Sequence, residues 1–475
     1  MKFLLTATML VVALAAFAQD KQVKLEGDYW AVRDQLSLGD AGVVFACPND
    51  KKKKTMIRYY TTDLDLVWEK EVEAKYSARG GDARGTSYDT REGFLVAAPS
   101  ASFIYHVELK PDDYFQKTHY ITQISKAGET KKFTIDGSEE MGYNLQTAFC
   151  DDNYFYYLAT DNGFEKHETK KEREKLILNR YDAKTFSYKR ILLDLPVVER
   201  GDHTTFWAFA GQHGSEKIIF SKNIDYENEK IVVTCIALDD EGKVTRTWTL
   251  EPKLKDVFLR PAKNNANTNG TFHQVANYDY FIVTTKSGAT GMMYEEPRLD
   301  YFAFTSFAYD EATDSYYVYG LTGPKQFKKV ASVYNGFYIF KYDSKGTLLW
   351  QLQQKAPATL ANYSAFKVHA VPGQRNVALR AGQDNSLNFQ IQTRKLLVNF
   401  VIDGQGKILR TIYDNEFVEP WQDFYLSATT SKAETHIKKS TAKRTGFLFV
   451  TGLPDREILV QTQFMEPFSI LLFKK

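Results

Sequence analysis

One short pattern recurs six times along the 475-residue chain and constrains its fold more than any other feature. An apolar or aromatic run ends at Asp or Ser, a few polar residues follow, often with Gly, and a second run begins. The pattern runs from Ile57 to Trp68 around Asp63 and from Ile121 to Phe133 around Ser125 and Gly128. It returns from Leu178 to Phe186 around Asp182, and from Ile236 to Trp248 around Asp239 and Gly242. The last two run from Tyr338 to Trp350 around Asp343 and Gly346, and from Phe400 to Arg410 around Asp403 and Gly406. Asp at the first turn position bonds its own backbone, and Gly supplies the positive φ that closes a tight hairpin. The flanking runs alternate apolar and polar, as half-buried strands do. Six copies, mostly at a spacing of roughly 60 residues, mark a repeat.

A further pair of strand-like runs precedes each hairpin. Before Asp343 stand Tyr301 to Tyr309 and Ser315 to Leu321; before Asp403, Tyr363 to Ala370 and Asn376 to Ala381; before Asp182, Leu145 to Cys150 and Tyr154 to Thr160. Four antiparallel strands in about 50 residues make one propeller blade. Blades are expected at 28–75, 84–137, 145–195, 204–251, 300–353 and 362–414. The tail offers three strands, Gly446 to Thr451, Glu457 to Gln463 and Phe468 to Phe473, and the run Gln22 to Leu25 can supply the fourth. The expected fold is therefore all-β, a single β-propeller over 19–475 with about seven four-stranded blades, its ring closed by an N-terminal strand. Segment 254–299 reads as an insertion or as a degenerate eighth blade. A pair of β-sandwiches is the competing all-β arrangement. Aromatic residues make up 14% of the chain, which favours pleated surfaces where rings pack well.

The first 18 residues read as a cleavable signal peptide. Lys2 supplies the charge, Phe3 to Leu14 the apolar run, and Ala16-Phe17-Ala18 the cleavage site. The run is shorter than the roughly 20 residues that span a bilayer. No later segment is long and apolar enough, so no transmembrane segment is expected in the mature chain. No Cys follows the run, which argues against a lipoprotein anchor. The expected location is periplasmic or extracellular. Lys and Arg number 61 against 59 Asp and Glu, a balance that argues against a nucleic-acid partner. Cys47, Cys150 and Cys235 are odd in number, far apart and set beside apolar runs, and read as buried free thiols.

The form Asp343-x-x-Gly346-x-x-x-Trp350 resembles the repeat of quinoprotein-type propellers. That group includes pyrroloquinoline-quinone dehydrogenases and the periplasmic propeller lipoprotein of outer-membrane protein assembly. The resemblance implies that the Trp docks each blade against the next. Asp63 and Trp68 read as the ends of a shorter unit without Gly; Asp239, Gly242 and Trp248 keep the residue types at stretched spacing. Phe133, Phe186 and Ile408 stand in elsewhere. The resemblance covers the outer hairpin of each blade and bears on architecture rather than activity. Quinone dehydrogenases typically use an adjacent Cys pair, and no two Cys are adjacent here, so no quinone is expected. The overall texture is similar to secreted propellers common in Bacteroidota.

The eight His form no HxH, HExxH or zinc spacing, and there is no GxSxG elbow or phosphate-binding GxxxxGK[ST]. The string Asn223 to Glu229 lacks the central Gly of a calcium loop and reads as a polar strand connection. Neither a metal nor a cofactor is expected. Asp151-Asp152 and Glu295-Glu296 read as turns, Glu165 to Lys175 as a solvated segment, and Lys51 to Lys54 and Lys432 to Arg444 as solvated loops. In a propeller, the links between blades share one face with the loops between middle strands, and loops on a rigid scaffold carry function. The links here hold Arg79, Asp82 and Arg84; Tyr143; Asp202, His203 and Trp207; and Trp421. Together they form the candidate binding set, suited to a sugar, peptide or carboxylate. The leading expectation is a non-enzymatic binding or scaffold propeller with a protein or glycan partner. A propeller enzyme acting on glycans or peptides, and a cell-envelope assembly factor, are the alternatives.

Overall fold

The structure, a computed structural model, describes most of the chain from Gln19 to Lys474. The main stretches outside the described residues are 1–18, 74–78, 82–86, 109–117, 137–142, 162–174, 196–206, 226–229, 255–267, 292–303, 323–335, 356–376, 415–431 and 437–444. The expected signal peptide lies among them. No described helix is long and apolar enough to cross a membrane.

Seven sheets of four antiparallel strands form the propeller, at 34–73, 93–136, 143–193, 207–250, 304–355 and 377–414, with the seventh at the chain's two ends. The seventh joins Thr445–Leu453, Arg456–Gln463 and Glu466–Lys474 to Lys21–Lys24, its outermost strand. First strands of successive blades touch one another, from Asp34–Ser37 through Gly93–Ala97, Tyr143–Cys150 and Trp207–His213 to Phe304–Asp310, so they line the axis. Among the described residues of 254–299, Thr268–Val275, Tyr278–Thr285 and Thr290–Gly291 make a three-stranded sheet of their own.

Turn chemistry explains where each outer strand begins. Asp343 Oδ1 accepts the backbone N–H groups of Lys345 (2.9 Å) and Thr347 (2.7 Å), and Gly346 follows at φ 82°. Asp403 does the same for Gln405 (2.9 Å) and Lys407 (2.8 Å), with Gly406 at φ 86°. The first hairpin departs from its reading. Thr61, not Asp63, opens the turn: its Oγ1 accepts the Asp65 N–H at 3.1 Å, and Leu64 occupies the glycine position at φ 58°. Counted from Thr61, Trp68 takes the same place that Trp350 takes from Asp343, so the unit is of full length. Thr and Asp both cap turns through a side-chain oxygen, and that equivalence misleads a reading by residue type. In both blades the ladder skips one residue: Tyr60 pairs with Leu66 and Tyr59 with Trp68, as Tyr342 pairs with Leu348 and Lys341 with Trp350. The unpaired Val67 and Leu349 form bulges. Asp63 serves elsewhere. It meets Arg456 and Lys474 of the seventh blade, each at 2.9 Å, while Asp65 meets Lys21 at 2.5 Å.

Where the outer turn holds a glycine, that glycine is the seat for the previous blade. A Cβ at Gly406 would lie 2.6 Å from Trp350 Cε3, one at Gly346 3.0 Å from Trp248 Cδ1, and one at Gly128 3.2 Å from Trp68 Cγ. Trp68 also donates Nε1–H to the Lys126 carbonyl at 3.1 Å. At the seam between blades 2 and 3, Phe133 meets Phe186, which itself holds φ 58°, with ring centroids 5.3 Å apart. Trp docking between blades is thus present, as the resemblance implies. Gly406→Ala is expected to destabilise by about 1–2 kcal/mol, because it puts an L residue in the left-handed region against an indole. Urea unfolding checks this, and an unchanged midpoint would refute the docking argument.

Apolar clusters fill six of the seams, between blades 7 and 1 through to 5 and 6. Cys47, Cys150 and Cys235 are buried and free, as expected. Desolvation pushes the Cys47 thiol up to about 11.

Candidate functional site

A four-stranded meander puts the first and last hairpins of every blade on one face, here the turn face. The middle loops and the links between blades occupy the opposite face. Arg79 begins the strand Arg79–Gly81, which pairs with Ser87–Asp89 in the link between blades 1 and 2. Tyr143 begins the inner strand of blade 3 opposite Asp161, and Trp207 begins the inner strand of blade 4 opposite Ser221. These two inner strands are neighbours on the axis, and both residues stand at the link-face end. Trp207 is 8% exposed, packed in the cluster between blades 3 and 4. Asp82, Arg84, Asp202, His203 and Trp421 lie outside the described residues, as does Glu295-Glu296.

The described polar groups that depart furthest from ordinary surface chemistry were not singled out by sequence. Lys217, 2% exposed, stands at the turn-face end of the seam between blades 3 and 4. Its Nζ meets Asp151 Oδ2 at 2.9 Å and the Ser215 carbonyl at 3.0 Å, and it pairs with Asp240. It also lies 5.4 Å from the centre of the Tyr156 ring. Asp151 shapes its turn, as read: Oδ1 accepts the N–H groups of Asn153 (2.8 Å) and Tyr154 (2.7 Å). Its other oxygen takes Lys217 and the Tyr156 hydroxyl (3.0 Å). Burial first, and then Asp151, push the Tyr156 phenol well above its ordinary range. Outside this cluster, Arg180 and Lys189 hold Glu241 at 3.1 and 2.8 Å, and those bonds, Lys189's first, bring its carboxyl down to about 2. The amino group of Lys217 is enclosed by acceptors on every contact described, so its chemistry is that of a strut between blades. The clue in the sequence is a Lys at an inward position of the apolar strand Lys217-Ile218-Ile219-Phe220.

Blade 2 carries the second group. His119 and Tyr157 meet between Nδ1 and the hydroxyl at 2.5 Å across the seam to blade 3. Gln123 bridges the same seam, donating to Tyr105 Oη (3.0 Å) and the Ala183 carbonyl (2.8 Å). His106 and Glu108 share the strand Phe103–Glu108 with Ile104, which packs towards blade 1, and alternation sends them the same way. Both are buried. Desolvation pulls the His106 imidazole down to about 4, so the ring is neutral near pH 7. Between about pH 4 and 6.5 the unfolded chain then binds more protons than the folded one, so stability falls as pH falls through that window. About 2 kcal/mol is expected to go between roughly pH 7 and 5, and His106→Gln should flatten the slope. Denaturant midpoints at a series of pH values measure it; equal slopes in both proteins would contradict it.

Among the described residues, no three His, Cys, Asp or Glu side chains gather as metal ligands. Asn223 to Asp225 end one strand of blade 4, and the following connection leads into Lys230–Leu238.

No family model matches the chain, and no curated protein does. Solved structures resemble it only distantly. A prolyl endopeptidase aligns at a TM-score of 0.35 and 8% identity over 98% of this chain and 60% of its own. The Synechocystis apocarotenoid oxygenase gives 0.35 and 9% over 81% and 73%. The Trypanosoma rangeli sialidase gives 0.26 and 10% over 72% and 57%. The chain thus spans 60% of the length of the endopeptidase it matches. Likeness this slight bears on no activity.

Proposed function

We propose that the chain is a non-enzymatic binding or scaffold propeller, exported to the periplasm or beyond, that takes a protein or glycan on its link face. The observation that carries this reading is the contrast between the faces. On the turn face the outer hairpins close within a few residues on their own backbone, as from Asp239 to Lys243 and from Asp343 to Thr347. On the link face Arg79 begins a short paired strand between blades 1 and 2, and Tyr143 and Trp207 begin inner strands; the sequence between the blades adds Asp82, Arg84, Asp202, His203 and Trp421. A rigid ring with short turns on one face and blade-to-blade sequence rich in polar and aromatic residues is suited to recognition. The apolar run Phe3 to Leu14, followed by Ala16-Phe17-Ala18, supports export.

Residues 19–475, purified, should bind an immobilised glycan or an envelope protein saturably and turn over nothing. Arg79→Ala and Asp202→Asn should weaken that binding while leaving the unfolding transition in place. Hydrolysis of a glycan or peptide, abolished by Asp82→Asn or Asp202→Asn, would put an enzyme in place of this reading. Stable co-purification with an outer-membrane complex would single out an assembly factor.

A further inference from the structure

In blades 1 to 6 the third strand turns one residue, four places before the residue that opens the outer turn, towards the next blade. In five of them it is apolar and buried in the seam: Ile57, Ile121, Leu178, Cys235 and Ile339, counted from Thr61, Ser125, Asp182, Asp239 and Asp343. In blade 6 the same place, counted from Asp403, holds Asn399. Its neighbours Val398 and Phe400 fill the seam with blade 5, so alternation turns Asn399 to blade 7. Asn399 is 6% exposed. Its Nδ2 donates to Asn388 Oδ1 on the adjoining strand at 3.2 Å, and its Oδ1 is buried and accepts no bond.

The seam it faces also differs from the rest. Among the described residues, no apolar cluster joins blades 6 and 7. On blade 7, Ile458, Val460, Ile470 and Leu472 serve the seam with blade 1, which leaves the buried Leu459, Leu471 and Phe473 for the side of blade 6. There the connection between the two blades comes in. The His436 ring lies 5.5 Å from that of Phe473, its Nε2 meets Gln461 Oε1 at 3.1 Å, and Ala433 is buried. Lys432 reaches Asp20 at 3.2 Å. A piece of the link thus lies along blade 7 where, in other seams, the side chains of a neighbouring blade pack.

We propose that the Asn388–Asn399 pair binds the acetamido group of an amino sugar in the seam between blades 6 and 7. The bond between the two side chains leaves a carbonyl oxygen on Asn399 and an amino group on Asn388. Turning both amides over exchanges their places and keeps one acceptor beside one donor. An acetamido group offers the complement, an N–H for the oxygen and a C=O for the amino group. A buried polar atom without a partner is unfavourable, so Asn where other blades place Ile or Leu calls for one. A ligand that completes the pair supplies it. A peptide carries the same amide but has to run on past it in both directions. The acetamido group ends in a methyl, which suits a place this enclosed. The proposal adds a glycan class to the binding reading above and rests on that reading.

The test is a saturation-transfer NMR titration of residues 19–475 with N,N′-diacetylchitobiose, and with cellobiose, which has hydroxyls in place of the acetamido groups. Binding of the first and not of the second is expected. N399L and N388A should each weaken it about tenfold or more, through the hydrogen bonds they remove. N399L should keep or raise the thermal midpoint, because it restores the apolar pattern of the other blades. Failure to bind diacetylchitobiose, equal binding of cellobiose, or saturable binding of trialanine in place of the sugar overturns the proposal. So does a lowered midpoint for N399L, which would mean that the fold itself satisfies the amide. A glycan that binds and is unaffected by both variants leaves the link-face reading standing and overturns this one.

Discussion

Lys217→Met is expected to destabilise the ring by about 3 kcal/mol, near the lower end of what breaking a buried ion pair costs. The Lys is 2% exposed and its removal leaves the Asp151 carboxylate in a poorly solvated seam. Two backbone N–H groups and the Tyr156 hydroxyl remain on that carboxylate, which keeps the loss from being larger. Asp240 is half exposed at 51% and can be hydrated once released, so it adds little. The coupling to Asp151 gives the sharper measurement. Lys217→Met combined with Asp151→Asn should lose at least about 1 kcal/mol less than the two single changes summed, because the second removes the charge the first stranded. Urea unfolding of the four proteins decides it. Strictly additive losses would mean that Lys217 and Asp151 stabilise the seam independently.

Gly42→Ala is the other severe change, at about 3 kcal/mol or more. Gly42 joins the short turn Gly39–Ala41 to the second strand of blade 1 with φ 130° and ψ −153°, a conformation essentially reserved for glycine. The space is closed as well. A Cβ there would lie 2.1 Å from the Tyr60 carbonyl oxygen and 2.9 Å from the Tyr59 ring. That carbonyl belongs to the neighbouring strand, where Val43 pairs with Tyr60, so it cannot withdraw without opening the ladder. The Tyr59 hydroxyl is held by the Ala41 carbonyl at 2.6 Å. Both unfavourable terms act on folded backbone, and no rotamer relieves them. Gly39→Ala is the control: φ 58° costs something there, but nothing lies within 4 Å. Similar midpoints for the two variants would show that the close approach at Gly42 is immaterial.

The blade pattern was legible because its signal is local. Asp343, Gly346 and Trp350 fall within eight positions, and each has a job within its own hairpin or on the next. Where two residues can do the same job, local reading slips. Thr61 and Asp63 are both turn formers two places apart, and only the register of Tyr59 with Trp68 separates them. Asp63 looks like a turn residue, yet its partners Arg456 and Lys474 sit almost the whole chain away. The Lys217 cluster was invisible for the same reason. Asp151 belongs to blade 3 and Asp240 to the far end of blade 4, and no spacing rule joins them. Among the candidate binding residues, Trp207 shows what residue type alone does not carry, its placement in the fold. An aromatic beside Asp202 and His203 suggested a contact residue, and its position is the start of an inner strand with the ring inside a seam.

The closing strand gives the ring a history as well as a shape. Lys21–Lys24 pairs with Leu472 through Ser469, while Asp20 accepts the Lys474 N–H at 2.6 Å and Lys21 reaches Asp65 in blade 1. The earliest strand therefore finishes the last blade. On a chain made from its N-terminus, six blades can form while the ring stays open, and the seam beside blade 1 waits for the final residues. Joining ends this remote in sequence would cost about 5 kcal/mol on a free chain. Blades already folded would hold the two ends near each other and lower that cost.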